Sequence, residues 1–429
     1  MALKNNLSVV FDIGTSKIVA LAGQKNEDGK MKVLAGANVL SRGVKRGLIF
    51  NIEEAANSIK AALEKLEEQT DENITQADIA FTTQHVKIKN HHGSHLTSGD
   101  GMVTKNDIEE LYKEALALKV EQDYKILHVI PQEFIIDEEI AEQNPVGISG
   151  RKIEARYKII TVPEIQLANI NRVFDKVGVN IGKISLSTLA LTESVLTDEE
   201  KEVGAIVLDI GAGTTKMSAC HDGVIIHTAV IPFGGNVITT DIKEGCSIHL
   251  KWAEDLKVQF GEALGDFVDD KKVITIPGYN GWEPKEISFR SLAFIIQARL
   301  EEIIDSVYYQ IEKSGISEKL GSGIVVTGGT SGLNNIISLV KFRTGFDARI
   351  AFPVIFPPNK HEEFKGQEYF TALGLLKLAL KNDGVPARPV KKKKKKEGGI
   401  SPWIKNVVQG VLDYVDDDED IEMKWNEKK

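Results

Sequence analysis

Residues 205–217 read Ala-Ile-Val-Leu-Asp-Ile-Gly-Ala-Gly-Thr-Thr-Lys-Met, an apolar run that delivers Asp209 to the mouth of a loop of small residues. Such a run bounded by glycines reads as a buried strand, and the loop lets backbone N–H groups approach an anion closely. A phosphate suits the loop. The carboxylate at the strand end suits a hydrated Mg²⁺, which binds few protein oxygens and keeps several waters. Asp-x-Gly turns are common in hairpins, so the constraint comes from repetition. Residues 7–21, Leu-Ser-Val-Val-Phe-Asp-Ile-Gly-Thr-Ser-Lys-Ile-Val-Ala-Leu, repeat the order of apolar run, Asp-Ile-Gly, Thr, Lys and second apolar run. Two like hairpins imply two like lobes that point Asp12 and Asp209 into one cleft and clamp a polyphosphate from both sides. Each loop is followed by strand-like sequence. A Walker loop or a Rossmann fingerprint needs a helix there, so the sequence argues against both.

A third stretch fits the same design. Residues 323–333, Gly-Ile-Val-Val-Thr-Gly-Gly-Thr-Ser-Gly-Leu, run from an apolar strand into a glycine pair, followed by Leu333, Ile336, Ile337 and Val340 at helical spacing. Gly328 and Gly329 would let a flat base or a ribose lie against the backbone. Two phosphate loops and this adenosine loop, in this order, resemble the actin, Hsp70 and sugar-kinase superfamily. Within it, residues 230–236 (Val-Ile-Pro-Phe-Gly-Gly-Asn) with Thr239 and Asp241 are similar to FtsA, as are Ala253-Glu254 with Lys257 and Asn144-Pro145-Val146-Gly147 with Ser149-Gly150. A short terminal helix containing Trp403 completes the likeness, which covers about residues 7–415. FtsA is the actin-like protein that ties the bacterial division ring to the membrane.

Composition sets the outer bounds. A chain of 429 residues can bury large cores. Cys220 and Cys246 are its two cysteines, too few for a disulfide framework or a thiolate metal site, which fits a reducing cytoplasm. The N-terminus reaches strand-like sequence by Leu7 with no apolar signal core, and no uninterrupted apolar stretch is long enough to cross a bilayer. The expected location is the cell interior. A net charge of −9 disfavours general nucleic-acid binding, although it averages over a polarised tail.

The expected fold class is α/β, an actin-like two-lobed fold of duplicated mixed-sheet domains around a nucleotide cleft. An inserted α+β subdomain and a C-terminal amphipathic helix are added to it. Residues 1–83, 164–196 and 369–383 form the first lobe in this reading, and residues 84–163 the insert. The second lobe takes residues 197–245 and 320–368, with residues 246–319 as its small subdomain.

Residues 51–66 carry Ile52, Ala55, Ala56, Ile59, Ala62, Leu63 and Leu66 at helical spacing, a helix covering a sheet, and residues 78–82 return as a strand. In the insert a helix is expected around residues 107–118, with strands around 126–129, 133–136 and 155–160. His91, His92 and His95 invite a metal hypothesis. They sit in a Gly/Ser stretch with no neighbouring carboxylate or cysteine in sequence, so they read as an exposed loop rather than a Zn site. In FtsA relatives the insert serves contact between protomers or with other division proteins, which is an implication of the resemblance.

Ser187 departs from the family, whose members commonly carry Glu there, in the helix facing the nucleotide. A carboxylate or amide at that point orients an attacking water, so the serine argues against efficient hydrolysis. Glu193, six residues on, should face elsewhere. His227 reads as a strand residue before it reads as a catalyst. Gly234, Gly235 and Asn236 precede a helical run whose entry amides can touch a phosphate. Glu254 and Lys257 either contact ribose and base or belong to an ordinary solvated helix face. A buried helix around residues 369–379 crosses back to the first lobe, its Ala372 and Gly374 allowing close packing.

After Gly384 the composition breaks. Pro386, Pro389 and six consecutive lysines at 391–396 make residues 384–399 a basic linker, able to lie near anionic lipid at roughly 1 kcal/mol per lysine. Across residues 400–416, Ile400, Trp403, Ile404, Val407, Val408, Val411 and Leu412 share one helical stripe, with Pro402 in the first turn. The stripe reads as an interfacial membrane anchor, and the competing readings are a helix docked on its own body or on a partner protein. An acidic run opens the charged tail, residues 417–429. Repulsion of that run by anionic lipid makes one copy's anchor weak, a deficit that polymerisation offsets.

The resemblance then implies an ATP-binding protein that polymerises, holds the tubulin-like FtsZ by its C-terminal peptide at the cytoplasmic face of the membrane, and recruits later division proteins. Asp12 and Asp209 would hold Mg²⁺ through water. Gly14, Thr15, Ser16, Lys17 and Gly211, Ala212, Gly213, Thr214, Thr215 would cradle phosphates, and Gly328, Gly329, Thr330, Ser331 and Leu333 would meet adenosine. The rival is a sugar or acetate-type kinase of the same superfamily, for which no catalytic Asp can be named. A chaperone-type nucleotide domain would need a peptide-binding module after Gly384.

Overall fold

A computed structural model describes residues 7–99, 101–141, 143–269, 271–278, 283–355 and 362–381. The basic linker, the amphipathic stripe from Ile400 to Leu412 and the acidic tail lie outside the described residues. The chain divides into two compact units, one built on Val86–Ile165 and the other on Leu7–His85 with Gln166–Leu376. Among the described residues no helix is long and apolar enough to cross a membrane.

The larger unit contains the same sheet twice. The first sheet is made of β1 (Ser8–Ile13), β2 (Lys17–Lys25), β3 (Met31–Leu40), β4 (Gln76–Phe81) and β5 (Asn180–Leu186), in the order β5-β4-β1-β2-β3. Here β1, β2 and β3 form an antiparallel meander, while β4 and β5 join β1 in parallel. The second sheet repeats this with β6 (Ala205–Ile210), β7 (Thr215–His221), β8 (Val224–Ile231), β9 (Ile324–Thr327) and β10 (Ala348–Ile350), ordered β8-β7-β6-β9-β10. Again the first three strands are an antiparallel meander and the last two run parallel to β6.

Helices cover these sheets because their apolar residues recur at 3.6-residue spacing. Ile52–Thr70 buries Ala55, Ala56, Ile59, Ala62, Leu63 and Leu66, the stripe expected from sequence, and is capped by Asn51, whose side chain accepts from the amides of Glu53 and Glu54. Phe289–Ser314 buries Leu292, Ile296, Leu300, Ile303 and Val307 into the second core and ends at Gly315 in the left-handed region. Phe370–Lys381 begins after the second sheet, and a methyl on Gly374 would lie 1.7 Å from the carbonyl oxygen of Ala190. That helix and Ser187–Val195 therefore meet backbone to backbone, the close packing anticipated from the small residues.

The smaller unit is a four-stranded antiparallel sheet in which Lys152–Pro163 lies between Lys87–Leu96 and Tyr124–Ile136, with Glu139–Ala141 at the edge. Helix Lys105–Leu116 covers it, and Ile108, Leu111, Tyr112, Phe134, Ile153 and Tyr157 fill the core. Two expectations are corrected here. The segments around 126–129 and 133–136 are one strand, because the register shifts where Pro131 and Gln132 pass Arg156 and Tyr157, so the proline sits at an irregularity instead of ending the strand. The three histidines lie on a strand and not in a loop. His92 pairs with Glu154 at 3.0 Å and His95 with Asp107 at 3.3 Å, carboxylates that sequence spacing could not bring near. Among the described residues no group of His, Cys, Asp and Glu is arranged to hold a metal ion.

Candidate functional site

The two Asp-Ile-Gly hairpins are built to one plan. In β1–β2 the amide of Gly14 donates to the carbonyl of Lys17 at 3.1 Å, and in β6–β7 the amide of Gly211 donates to that of Thr214 at 3.0 Å. Asp12 is the cross-strand partner of Val19, and Asp209 that of Lys216. Register therefore revises the equivalence read from the letters. Lys17 corresponds to Thr214 and is exposed, whereas Lys216 corresponds to Val19 and points into the site.

The tips of the hairpins touch. A methyl on Gly213 would lie 2.7 Å from Cγ2 of Thr15 and 2.8 Å from its Oγ1, so a side chain at 213 would wedge the loops apart. Thr15 Oγ1 also accepts from the amide of Gly47 at 3.0 Å, which fixes the first tip. The amides of Thr15, Ser16, Ala212 and Gly213 find no acceptor among the described residues. Unclaimed amides at two apposed tips form a cradle for an anion. Thr215 is turned away, its hydroxyl donating to the carbonyl of Phe233 at 2.9 Å.

The third loop closes against the second. Gly328 has φ +89, and a methyl there would fall 2.2 Å from Oδ1 of Asp209 and 2.6 Å from the carbonyl oxygen of Ile210. Only glycine tolerates both that backbone and that approach. Thr330 Oγ1 donates to the carbonyl of Gly211 at 3.4 Å, and Ser331 Oγ donates to Gln367 Oε1 at 2.6 Å. A methyl on Gly329 would meet nothing within 4 Å, which leaves that backbone open to a ligand. Leu333 packs over Gly261, at the end of helix Leu250–Phe260.

Two groups behave differently from the sequence reading. The amides of Gly235 and Asn236 donate to the carbonyls of Gly211 and Ala212, each at 2.8 Å, and Gly234 lies where a methyl would strike both carbonyls. These residues brace the second loop, and those two entry amides are already spent. Lys257 is buried, and its ammonium donates to Gly235 O at 3.1 Å, Thr239 Oγ1 at 2.7 Å and Glu254 Oε2 at 2.7 Å. Three N–H groups meet three acceptors, so Lys257 holds the start of helix Gly235–Gly245 and has no donor left for a base. Glu254 is half exposed.

The carboxylates sit at the strand ends below the cradle. Asp12 is pushed up to about 6, chiefly by burial, with Asp209 adding to the rise while Lys216 and a 3.5 Å contact from Ser187 Oγ oppose it. Ser187 also shares a 2.9 Å hydrogen bond with Thr82, and Glu193 pairs with Lys201 at 3.1 Å, turned away from this centre as expected. Lys216 Nζ stands 2.6 Å from Asp209 Oδ2. Burial opposes the ammonium's charge, yet Asp209 and then Asp12 hold its pKa above the usual lysine value. The glycine cradle and its open amides fit a polyphosphate. A divalent ion fits less well, since one of its two carboxylates is already paired with an ammonium.

Duplicated sheets of this order, joined at two Asp-Ile-Gly hairpins, define an actin-like protein. The solved structures agree. A chain of the PilM–PilN type IV pilus biogenesis complex superposes with a TM-score of 0.61 at 15% identity, over 87% of this chain and 98% of that one. MreB5 of Spiroplasma citri does so with 0.53 at 15% identity, over 87% and 96%. The family model of cell division protein FtsA matches residues 206–374, and that of the SHS2 domain inserted in FtsA matches residues 83–161. FtsA of Neisseria meningitidis serogroup B is 33% identical over 405 residues, covering 92% of this chain and 97% of its own. FtsA of Pseudomonas aeruginosa is 32% identical over 379 residues, 88% and 90%, and that of Escherichia coli K12 is 30% identical over 383 residues, 87% and 90%. The chain belongs to the FtsA family of cell division proteins.

Proposed function

We propose that this chain binds ATP between its two Asp-Ile-Gly hairpins, polymerises in that state, and holds FtsZ filaments at the cytoplasmic face of the membrane at the division site, where later division proteins join. The observation that carries the nucleotide reading is the contact of Gly213 with Thr15, which sets two loops of unclaimed amides face to face. The MreB5 neighbour was solved bound to ADP, which supports a nucleotide as the ligand. In this reading Gly14 to Ser16 and Gly211 to Thr214 flank the phosphates, and Gly328 to Ser331 flank adenosine. Mg²⁺ would arrive on the phosphates, with Asp12 and Asp209 to hold it through water, Asp209 being already paired with Lys216. Ser187, with no carboxylate to orient water, leaves at most a weak ATPase.

In this reading the chain divides into lobes, insert, linker and terminal helix at the boundaries given from sequence. Ile400, Trp403, Ile404, Val407, Val408, Val411 and Leu412 would supply the membrane face of the helix expected from sequence, tethered by the lysines before it. Liposome co-sedimentation with ATP and Mg²⁺ tests the assembly, comparing the whole chain with one ending at Gly399. Pelleting that requires ATP, anionic lipid and the tail is the expected result. A whole chain that stays in solution with such liposomes would refute the membrane reading.

A further inference from the structure

The two hairpins match in loop length, turn hydrogen bond and register, and they differ in charge at one cross-strand position. Opposite Asp12 stands Val19, buried and apolar; opposite Asp209 stands Lys216. The Lys216 side chain is 12% exposed and that of Asp209 10%, with 2.6 Å between Nζ and Oδ2. An ammonium carries three donors, and Asp209 is its ion-pair partner among the described residues. At this point two carboxylates and one ammonium sum to a single negative charge, where a divalent ion between the same carboxylates would bring neutrality. A lysine in that position is a tethered point charge, the form in which ammonium groups serve phosphates elsewhere in proteins. We propose that Lys216 is a built-in counter-cation for the nucleotide phosphates, making nucleotide binding by this chain largely independent of a divalent metal.

This rests on the nucleotide reading above, deepens it, and has its own observable. The measurement is equilibrium binding of ATP to the full chain by calorimetry, in excess Mg²⁺ and in excess EDTA. The expected dissociation constants in the two conditions agree within about tenfold, the wild type requiring no variant for this comparison. Lys216→Met should bind ATP in Mg²⁺ and lose at least about tenfold in EDTA, whereas Lys216→Arg, which keeps the charge, should retain metal-free binding. Should Lys216→Met fail to fold with Asp209 left unpaired, Lys216→Met with Asp209→Asn removes both charges and is subject to the same expectation in EDTA. Wild-type binding that appears in Mg²⁺ and vanishes in EDTA would overturn the inference and leave the nucleotide reading standing. Metal-free binding unchanged in Lys216→Met would overturn it equally. No ATP binding in either condition would remove the nucleotide reading itself and the inference with it.

Discussion

Asp107 shows how much a single buried carboxylate can organise. It accepts from the amide and hydroxyl of Thr104 and from the amide and hydroxyl of Ser98, with bonds between 2.6 and 3.1 Å, and closes the capping box of helix Lys105–Leu116. Burial alone would raise its pKa, but these hydrogen bonds prevail and bring it down to about 2. A depressed carboxylate stabilises the fold at pH above its unfolded value of 3.8 and loses that contribution as pH falls toward 2. Asp107→Asn should cost the smaller unit about 2–4 kcal/mol at neutral pH, read by hydrogen exchange of its amides, and should flatten its acid-unfolding profile over that interval. Asp12 has the opposite sign. Its raised pKa means that ionisation costs stability as pH rises from 3.8 through about 6 in the ligand-free protein. The placement of Asp12, Asp209 and Gly328 at strand ends was legible because an apolar run that stops at a carboxylate or a glycine pair reads as a strand entering a turn, and the run recurs. Lys216 was not. The order of letters paired it with Lys17, and only strand register reveals that it faces Asp209.

At the scale of elements, long amphipathic helices could be read directly, and Ile52–Thr70 buries the stripe its sequence displays. Pairings distant in sequence could not. Nothing near His92 announces Glu154, and nothing near Gly235 announces that its amide is spent on Gly211. The tips of the hairpins give one prediction of this scale: Gly213→Val should separate the loops, leave the thermal midpoint nearly unchanged and weaken ATP binding by tenfold or more, about 1.4 kcal/mol. The crossing of two helices gives another. Since a methyl on Gly374 meets backbone at Ala190, which cannot rotate away, Gly374→Val should destabilise the larger unit by more than about 3 kcal/mol, seen as a lowered denaturant midpoint at unchanged slope.

For the whole molecule, the duplicated sheets were foreseeable from two hairpins and a third glycine loop, because each copy must bury its own apolar strands. The presence of an insert was legible as a change of style along the chain, and its topology was not. What holds it together is a strand pair that begins and ends it: Lys87, its first strand residue, is the Cα partner of Thr161, near its last. Partners in an antiparallel pair are about 5 Å apart, so the smaller unit begins and ends at nearly one point in space. The rest of the molecule has then only to tolerate a closure that a tight turn could make just as well, with little loop entropy at stake. A version in which a short glycine-serine turn replaces residues 87–161 should keep a cooperative unfolding transition and nucleotide binding. In evolutionary terms the junction is a socket, at which one module can be exchanged for another while the enclosing fold is left intact.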